Sequence, residues 1–306
     1  MEPMKIAVAG AVNVDIAGTP DTKLLPGDSN PGCVTLTLGG VGRNIAENLR
    51  RMGQRVELLT VLGEDAHAQH VKESCAKLGI GLDHSLTVPG GRTSTYLCLN
   101  DEQGEIMAAI ADMDICLQLT PDFWRTRLDV LNAASLVVLD ANLPEESLTF
   151  LAQNVTAPMA ADPVSVKKAG RLKQALPYLS LLKPNRAEAT CLTDVDIHSH
   201  EDLPKAAEAF FKLGMRNVFI SLGEEGVYYH DGTDSGIVPC FAGPIVNTSG
   251  CGDTFLSASA LAWVQGKSLR EAARWGQAGA ALCARCGGAV TPDMSIAALS
   301  AILKGE

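Results

Sequence analysis

The chain has 306 residues, 46% hydrophobic and 20% charged, with a formal net charge of −10. That balance suits one large globular domain and gives no global pull toward nucleic acid or an anionic membrane. No run of about 18 apolar residues is present, so no membrane span is expected, and the N-terminus lacks the regions of a signal peptide.

The first apolar run, 5–9, reads as a buried parallel strand. Asn13 and Asp15 follow it. Two apart in an extended segment, they share a face beyond the carboxyl end of a strand, where open α/β sheets bind ligands. A carboxylate there can accept from two adjacent sugar hydroxyls; an Asx turn closing the strand would use the same residues. Segment 17–38 carries Pro, Gly, Asp and Thr and reads as strands joined by turns, with Ser29 inside it. Gly39-Gly40-Val41-Gly42-Arg43-Asn44 then opens a helix over 41–52. No Gly-Lys-Ser/Thr follows, and the glycine spacing is wrong for a dinucleotide fingerprint. Gly39 and Gly40 let a small ligand approach the backbone, and Asn44 offers a hydroxyl both a donor and an acceptor. Tight helix–sheet packing is the other use of such glycines.

A strand at 56–61 and a helix at 66–78 come next. Segment 93–110 reads as two strands around a turn-rich 100–105, with Thr95 near its start. Strands at 136–139, 159–161 and 181–183 follow, with a helix at 145–154 and Asn142 just beyond the first strand. Lys183 ends the third strand and faces either phosphate or solvent. Asn185 and Glu188 then stand at i and i+3 on a first helical turn, a spacing that suits a capping box as well as a shared ligand. A helix at 202–213 precedes strands at 218–221 and 227–229, with Ser221, Gly223 and Gly226 at the turn between them.

The most informative stretch is Asn247-Thr248-Ser249-Gly250-Cys251-Gly252-Asp253-Thr254-Phe255. A Gly-rich turn opening a helix, here 254–264, aims backbone N–H groups and the positive end of the helix dipole at one point, which suits phosphate. Asp253 is the odd member, since phosphate repels a carboxylate. It makes sense as the acceptor of a proton from a hydroxyl attacking phosphorus. The plainer alternative is a loop followed by an Asp in a first helical turn. A last long helix, 269–286, carries Gln277, which is either an adenine-side contact or solvent-facing. Its Cys283-Ala284-Arg285-Cys286 has no second pair at zinc spacing and reads as small core residues. The nine cysteines are odd in number and scattered, which fits reduced thiols and a cytoplasmic protein. The alternation of strands and helices argues a mainly parallel sheet covered on both faces, in a single domain over 1–306.

Five motifs in this order resemble the ribokinase-like (PfkB) family of carbohydrate and nucleoside kinases over nearly the whole chain. They are Asn13-Val14-Asp15, Gly39-Gly40 with Asn44, Leu182-Lys183-Pro184-Asn185-Arg186-Ala187-Glu188, Ser221-Leu222-Gly223-Glu224-Glu225-Gly226-Val227, and the 250–253 turn. The resemblance implies a three-layer α/β/α fold with a small β-sheet lid built from 17–38 and 93–110. It implies ATP as donor and a small-molecule nucleoside or sugar as acceptor, with no nucleic acid or membrane partner. Asn13, Asp15, Gly39, Gly40 and Asn44 would hold sugar hydroxyls. Asp253 would be the general base, and the amides of Gly250, Cys251 and Gly252 the anion hole. Lys183, Asn185, Ser221, Gly223, Gly226 and Gln277 would line the nucleotide site, with Glu188 holding Mg²⁺ through water. Ser29, Thr95 and Asn142 are the polar candidates for base contacts.

Within the family, Asp28-Ser29-Asn30-Pro31-Gly32, the run from Gly39 to Leu49, Thr93-Ser94-Thr95-Tyr96-Leu97 and Ile110-Ala111-Asp112-Met113-Asp114-Ile115 most resemble the branch that phosphorylates pseudouridine. Another nucleoside (uridine, inosine, adenosine) or free ribose is the alternative acceptor. A non-catalytic ligand-sensing relative is the alternative of another class, against which the intact Asp253, Gly252, Asn185 and Glu188 argue. The resemblance includes a homodimer through lid strands as a mild expectation. Two positions depart from the family pattern. Cys251 replaces a smaller residue without removing a backbone donor. Asn247 stands where many members carry an Asp linked to a monovalent cation, which leaves K⁺ activation doubtful.

Overall fold

The computed structural model describes residues 2–305. Its strands, in chain order, are β1 (Lys5–Ala9), β2 (Asn13–Pro20), β3 (Gly32–Gly39), β4 (Arg55–Leu59), β5 (Val61–Leu62), β6 (Leu86–Thr87) and β7 (Thr95–Asn100). There follow β8 (Ile106–Asp112), β9 (Leu136–Asp140), β10 (Met159–Asp162), β11 (Leu181–Leu182), β12 (Val218–Ser221), β13 (Val227–His230) and β14 (Ser235–Val238). The central sheet runs β14-β13-β12-β11-β10-β9-β1-β4 and is parallel from β12 to β4. β13 and β14 add antiparallel at one edge.

Between their ends, β1, β9, β10, β11 and β12 are apolar because both faces are covered. Alternate residues feed two separate cores. Ala7, Ala9, Val137, Leu139, Ala161, Leu182 and Ile220 pack with Leu148, Leu192 and Phe210 of helices on one side. Ile6, Val8, Leu136, Val138, Ala160, Leu181 and Phe219 pack with Ile45, Leu49, Leu256 and Leu261 on the other. This is the expected three-layer α/β/α arrangement. A separate four-stranded sheet, β3-β2-β7-β8, stands beside it.

Several expected boundaries move. The strand expected at 56–61 splits into β4 and β5, and β5 leaves the main sheet to pair with β6. β14 and the short helices Pro121–Arg125, Leu128–Asn132 and Val166–Ala169 lie outside the expected elements; each is too short to show a periodicity. The helix expected from 254 begins at Cys251, so Asp253 lies within its first turn. No described helix is long and apolar enough to cross a membrane.

β1 lies between β9 and β4, so the chain leaves it in both directions across the sheet. The carboxyl ends of strands flanking such a switch point open into a crevice. Gly10, Asp140 and Asp162 mark those ends, with Asp140 and Asp162 in register.

Candidate active site

Two glycine turns meet over this crevice. Gly40 caps the Val41–Arg51 helix at φ 98°. Gly250 caps the Cys251–Val264 helix at φ 75°. Both angles lie in the left-handed region that glycine enters without penalty. The two helices are stitched side by side by Asn44 Nδ2 donating to Asp253 Oδ2 at 2.9 Å and Asn48 Nδ2 donating to Thr254 Oγ1 at 3.1 Å. A side chain on Gly250 would run into the Ala289 carbonyl. Gly250→Ala is therefore expected to cost roughly 2–5 kcal/mol, from the left-handed backbone and the overlap together. A chemical-denaturation midpoint beside a turnover assay checks it; an unchanged midpoint contradicts the placement.

Asp253 is buried, and its carboxyl is pushed up to about 7. Burial is the largest cause and nearby Asp162 adds to it, while the Asn44 hydrogen bond and the Lys183 charge oppose it. A carboxyl balanced near neutrality can both take and release a proton at physiological pH. Of the amides proposed for the anion hole, that of Cys251 reaches back to the Thr248 carbonyl at 3.2 Å. The Gly252 amide, in the first turn, has no acceptor within the helix by position. Lys183 supplies positive charge at the same point: a Cβ built on Gly252 would lie 3.1 Å from Lys183 Nζ.

Lys183, Asn185, Ser221, Gly223, Gly226 and Gln277 line one cavity of about 740 Å³, together with Cys251 and Gly252. Gln277 is buried rather than solvent-facing and touches Cys240 and the Val238 carbonyl. Phe241, Ile245 and Ala281 give the cavity an apolar wall that sequence reading missed. Ile245 and Val246 are exposed beside it, on a segment with no regular structure to betray its role.

Asn185 and Glu188 form the capping box. Asn185 Oδ1 accepts from the Glu188 amide and Glu188 Oε2 from the Asn185 amide, each at 2.9 Å. Burial raises the Glu188 carboxyl, against the Asn185 amide and the Lys183 charge. Among the described residues no cluster of three or more His, Cys, Asp or Glu could cage a metal. That donor set fits Mg²⁺, which keeps most of its waters and takes few protein ligands.

On the opposite side, Asn13 Nδ2 donates to Asp15 Oδ1 at the start of β2. Gly39 faces Asp15 so closely that a Cβ there would strike its carboxylate. Burial raises the Asp15 carboxyl, offset by Asn13 and by Arg43. Arg43, itself buried and paired with Glu47, was not singled out from the sequence. Its Glu47 partner at i+4 in the helix was the available signal. Thr95 pairs in register with Val14 at the base of the smaller sheet. Asn142 is buried and its Oδ1 accepts from Lys168. Ser29 stays apart. It is exposed on the loop joining β2 to β3, beyond Pro20 and Gly32, whereas Asn13 and Gly39 pair at the other end of that hairpin. Asn247 binds the Gly287 carbonyl and the Ser249 amide, shaping the turn before Gly250.

The sequence reading also passed over Asp140 and Asp162. Asp140 accepts from the amides of Ala11 and Asn142 at 2.8 Å, and burial pushes its carboxyl up to about 6. Each ends an apolar strand as its single charge, which was a visible signal.

Comparison with known proteins gives the same picture. The model of the pfkB family carbohydrate kinases matches residues 4–296. Pseudouridine kinase of Escherichia coli K12 is 35% identical over 294 residues, covering 95% of this chain and 94% of the relative. The structure of a carbohydrate kinase from Agrobacterium tumefaciens superposes with a TM-score of 0.87 at 31% identity, over 98% of this chain and 97% of that one. Arabidopsis thaliana ribokinase complexed with ribose and ATP gives a TM-score of 0.88 at 25% identity, over 99% of both chains. The motifs, the sheet order and these likenesses together make the chain a member of the PfkB family of carbohydrate kinases.

Proposed function

We propose that the protein transfers the γ-phosphoryl group of ATP to the 5′-hydroxyl of pseudouridine, forming pseudouridine 5′-phosphate. The observation that carries this is the buried Asp253, fixed by Asn44 where the two glycine turns meet. The identity to a pseudouridine kinase over almost the full length of both chains supports the choice of acceptor.

The ribose lies between the smaller sheet, acting as lid, and the Gly39–Gly40 backbone. Asp15, braced by Asn13, accepts from its hydroxyls. Asn44 contacts the sugar while holding Asp253. Asn142 lies on the base side, and Ser29 joins it if its loop folds inward; Thr95, in register with Val14, shares the other face of the lid with Leu97 and Leu99. Asp253 takes the 5′-hydroxyl proton as the oxygen attacks in line. Gly252 and Lys183 face the charge that builds on the transferring group, where fixed donors in a dry site act most strongly. ATP occupies the cavity lined by Ser221, Gly223, Gly226 and Gln277. Glu188 and Asn185 would hold hydrated Mg²⁺, and the charge neutralisation it would supply is that of the nucleotide phosphates.

The lid has a second face. Val34, Leu36, Leu97, Leu99 and Ile110 are all exposed there, opposite the side carrying Asp15. This apolar face supports a homodimer through the lid, measurable by light scattering.

The test is ATP- and Mg²⁺-dependent phosphorylation of pseudouridine, uridine, inosine, adenosine and ribose. A preference for pseudouridine well above uridine is expected. Preference for another acceptor would keep the kinase and overturn the substrate. No turnover with ATP bound would favour a non-catalytic relative.

A further inference from the structure

Lys183 reaches Gly252 across a buried surface, and something must hold it there. Its Nζ lies 3.2 Å from Asp162 Oδ2, and both side chains are more than nine-tenths buried. A pair so enclosed is worth little as stability, because desolvation consumes the attraction. It does fix geometry.

The backbone beyond Asp162 is strained in a way that orients the carboxylate. Val164 has φ 66°, a left-handed conformation that a β-branched residue rarely adopts. The Ser165 amide donates to the Pro163 carbonyl at 2.7 Å, closing a tight three-residue turn centred on Val164. The same turn sends the Val164 amide to Asp162 Oδ1 at 2.7 Å. One carboxylate oxygen is thus held by the strained turn, leaving the other for Lys183. Strain of this kind persists only where surrounding structure enforces it, and it gathers at functional sites.

We infer that Asp162, set by the strained turn at Val164, is a positioning residue that holds the Lys183 ammonium against the Gly252 turn to meet the phosphates of the nucleotide. The inference rests on the phosphoryl-transfer reading of the site. Asp162 touches neither nucleotide nor acceptor; it acts through Lys183. An Asn at 162 keeps the shape but not the charge, so Lys183 swings toward solvent or toward Asp253.

The test is a double-mutant cycle with Asp162→Asn, Lys183→Met and the two combined. Affinity for ATP with Mg²⁺ is read by calorimetry, and kcat and both KM values by phosphorylation of the best acceptor. Asp162→Asn is expected to weaken ATP and lower kcat by about tenfold, as expected for loss of one charged contact. The acceptor KM should stay unchanged. In the Lys183→Met background the same change should do almost nothing to ATP affinity, because that effect runs through Lys183; kcat is compared well above neutral pH, where the direct influence of Asp162 on the Asp253 carboxyl no longer changes its protonation. A merely structural Asp162 would give additive losses and overturn the inference. Should Asp162→Asn fail to fold around an unpaired lysine, the double variant, with neither charge buried, must fold and match Lys183→Met. If no acceptor is phosphorylated, the functional reading fails by itself, while coupling in ATP affinity still decides for or against Asp162.

Discussion

Replacing Asp253 by Asn is expected to lower kcat roughly 10²–10⁴-fold, the usual share of a positioned general base, and to leave acceptor binding nearly intact. Asn keeps the shape and can still accept from Asn44 through its carbonyl oxygen, so the two helices remain stitched together. What is lost is the proton acceptor. Because burial, with Asp162 nearby, pushes the wild-type carboxyl up to about 7, wild-type kcat should rise with pH through neutrality and level off above it. The variant's residual rate should lack that limb. Stability should move the opposite way. In the unfolded chain an aspartate titrates near 3.9. Between that pH and about 7 the folded protein holds one proton more than the unfolded chain. Folding stability therefore falls as pH rises through this window and stays low above it. Asn escapes this loss, so its Tm advantage over wild type should grow from about pH 4 to about pH 7 and hold steady above that. Unchanged turnover removes Asp253 as the base. Lost turnover with no pH-dependent Tm difference leaves the base and removes the buried anion.

Much of this was legible in the chain, for a physical reason. Strands buried on both faces must be apolar between their ends, so β1, β9, β10 and β12 announce themselves as short runs. Turns that admit a ligand need glycine, so Gly39–Gly40 and the 250–252 turn are visible without coordinates. What stayed hidden depends on distance in sequence. Asn44 and Asp253 are 209 residues apart, and nothing local says that they touch. Asp162 drew no reading and Lys183 could face either phosphate or solvent; only the parallel pairing of β10 with β11 brings them together. The capping box and the metal-facing pair at Asn185 and Glu188 share one spacing, and the structure uses it as the cap. Ile245 escaped because an apolar residue in an irregular segment has no period to mark it. Ser29 shows the converse, a polar residue in a matching motif whose place at a hairpin tip no pattern could reveal.

The second large effect separates binding from chemistry through two neighbouring residues. Asp15→Ala removes a charged acceptor of sugar hydroxyls and is expected to raise the acceptor KM about 10–100-fold, with the KM for ATP unchanged. Gly39→Ala should mimic it without touching Asp15. Gly39 ends β3 opposite Asn13 and has no left-handed backbone angle, so alanine costs nothing in conformation. The three atoms its methyl group would come nearest all belong to the Asp15 carboxylate. The carboxylate is the movable partner and must rotate away, breaking its contact with Asn13. Gly39→Ala should therefore keep a wild-type denaturation midpoint while losing acceptor affinity nearly as far as Asp15→Ala. Combining the two should add nothing, since the methyl has nothing left to displace. Additive losses would mean that Gly39 admits the ligand through its own backbone rather than by leaving room for Asp15. An unaffected acceptor KM in Asp15→Ala would move the sugar away from the β2–β3 hairpin altogether.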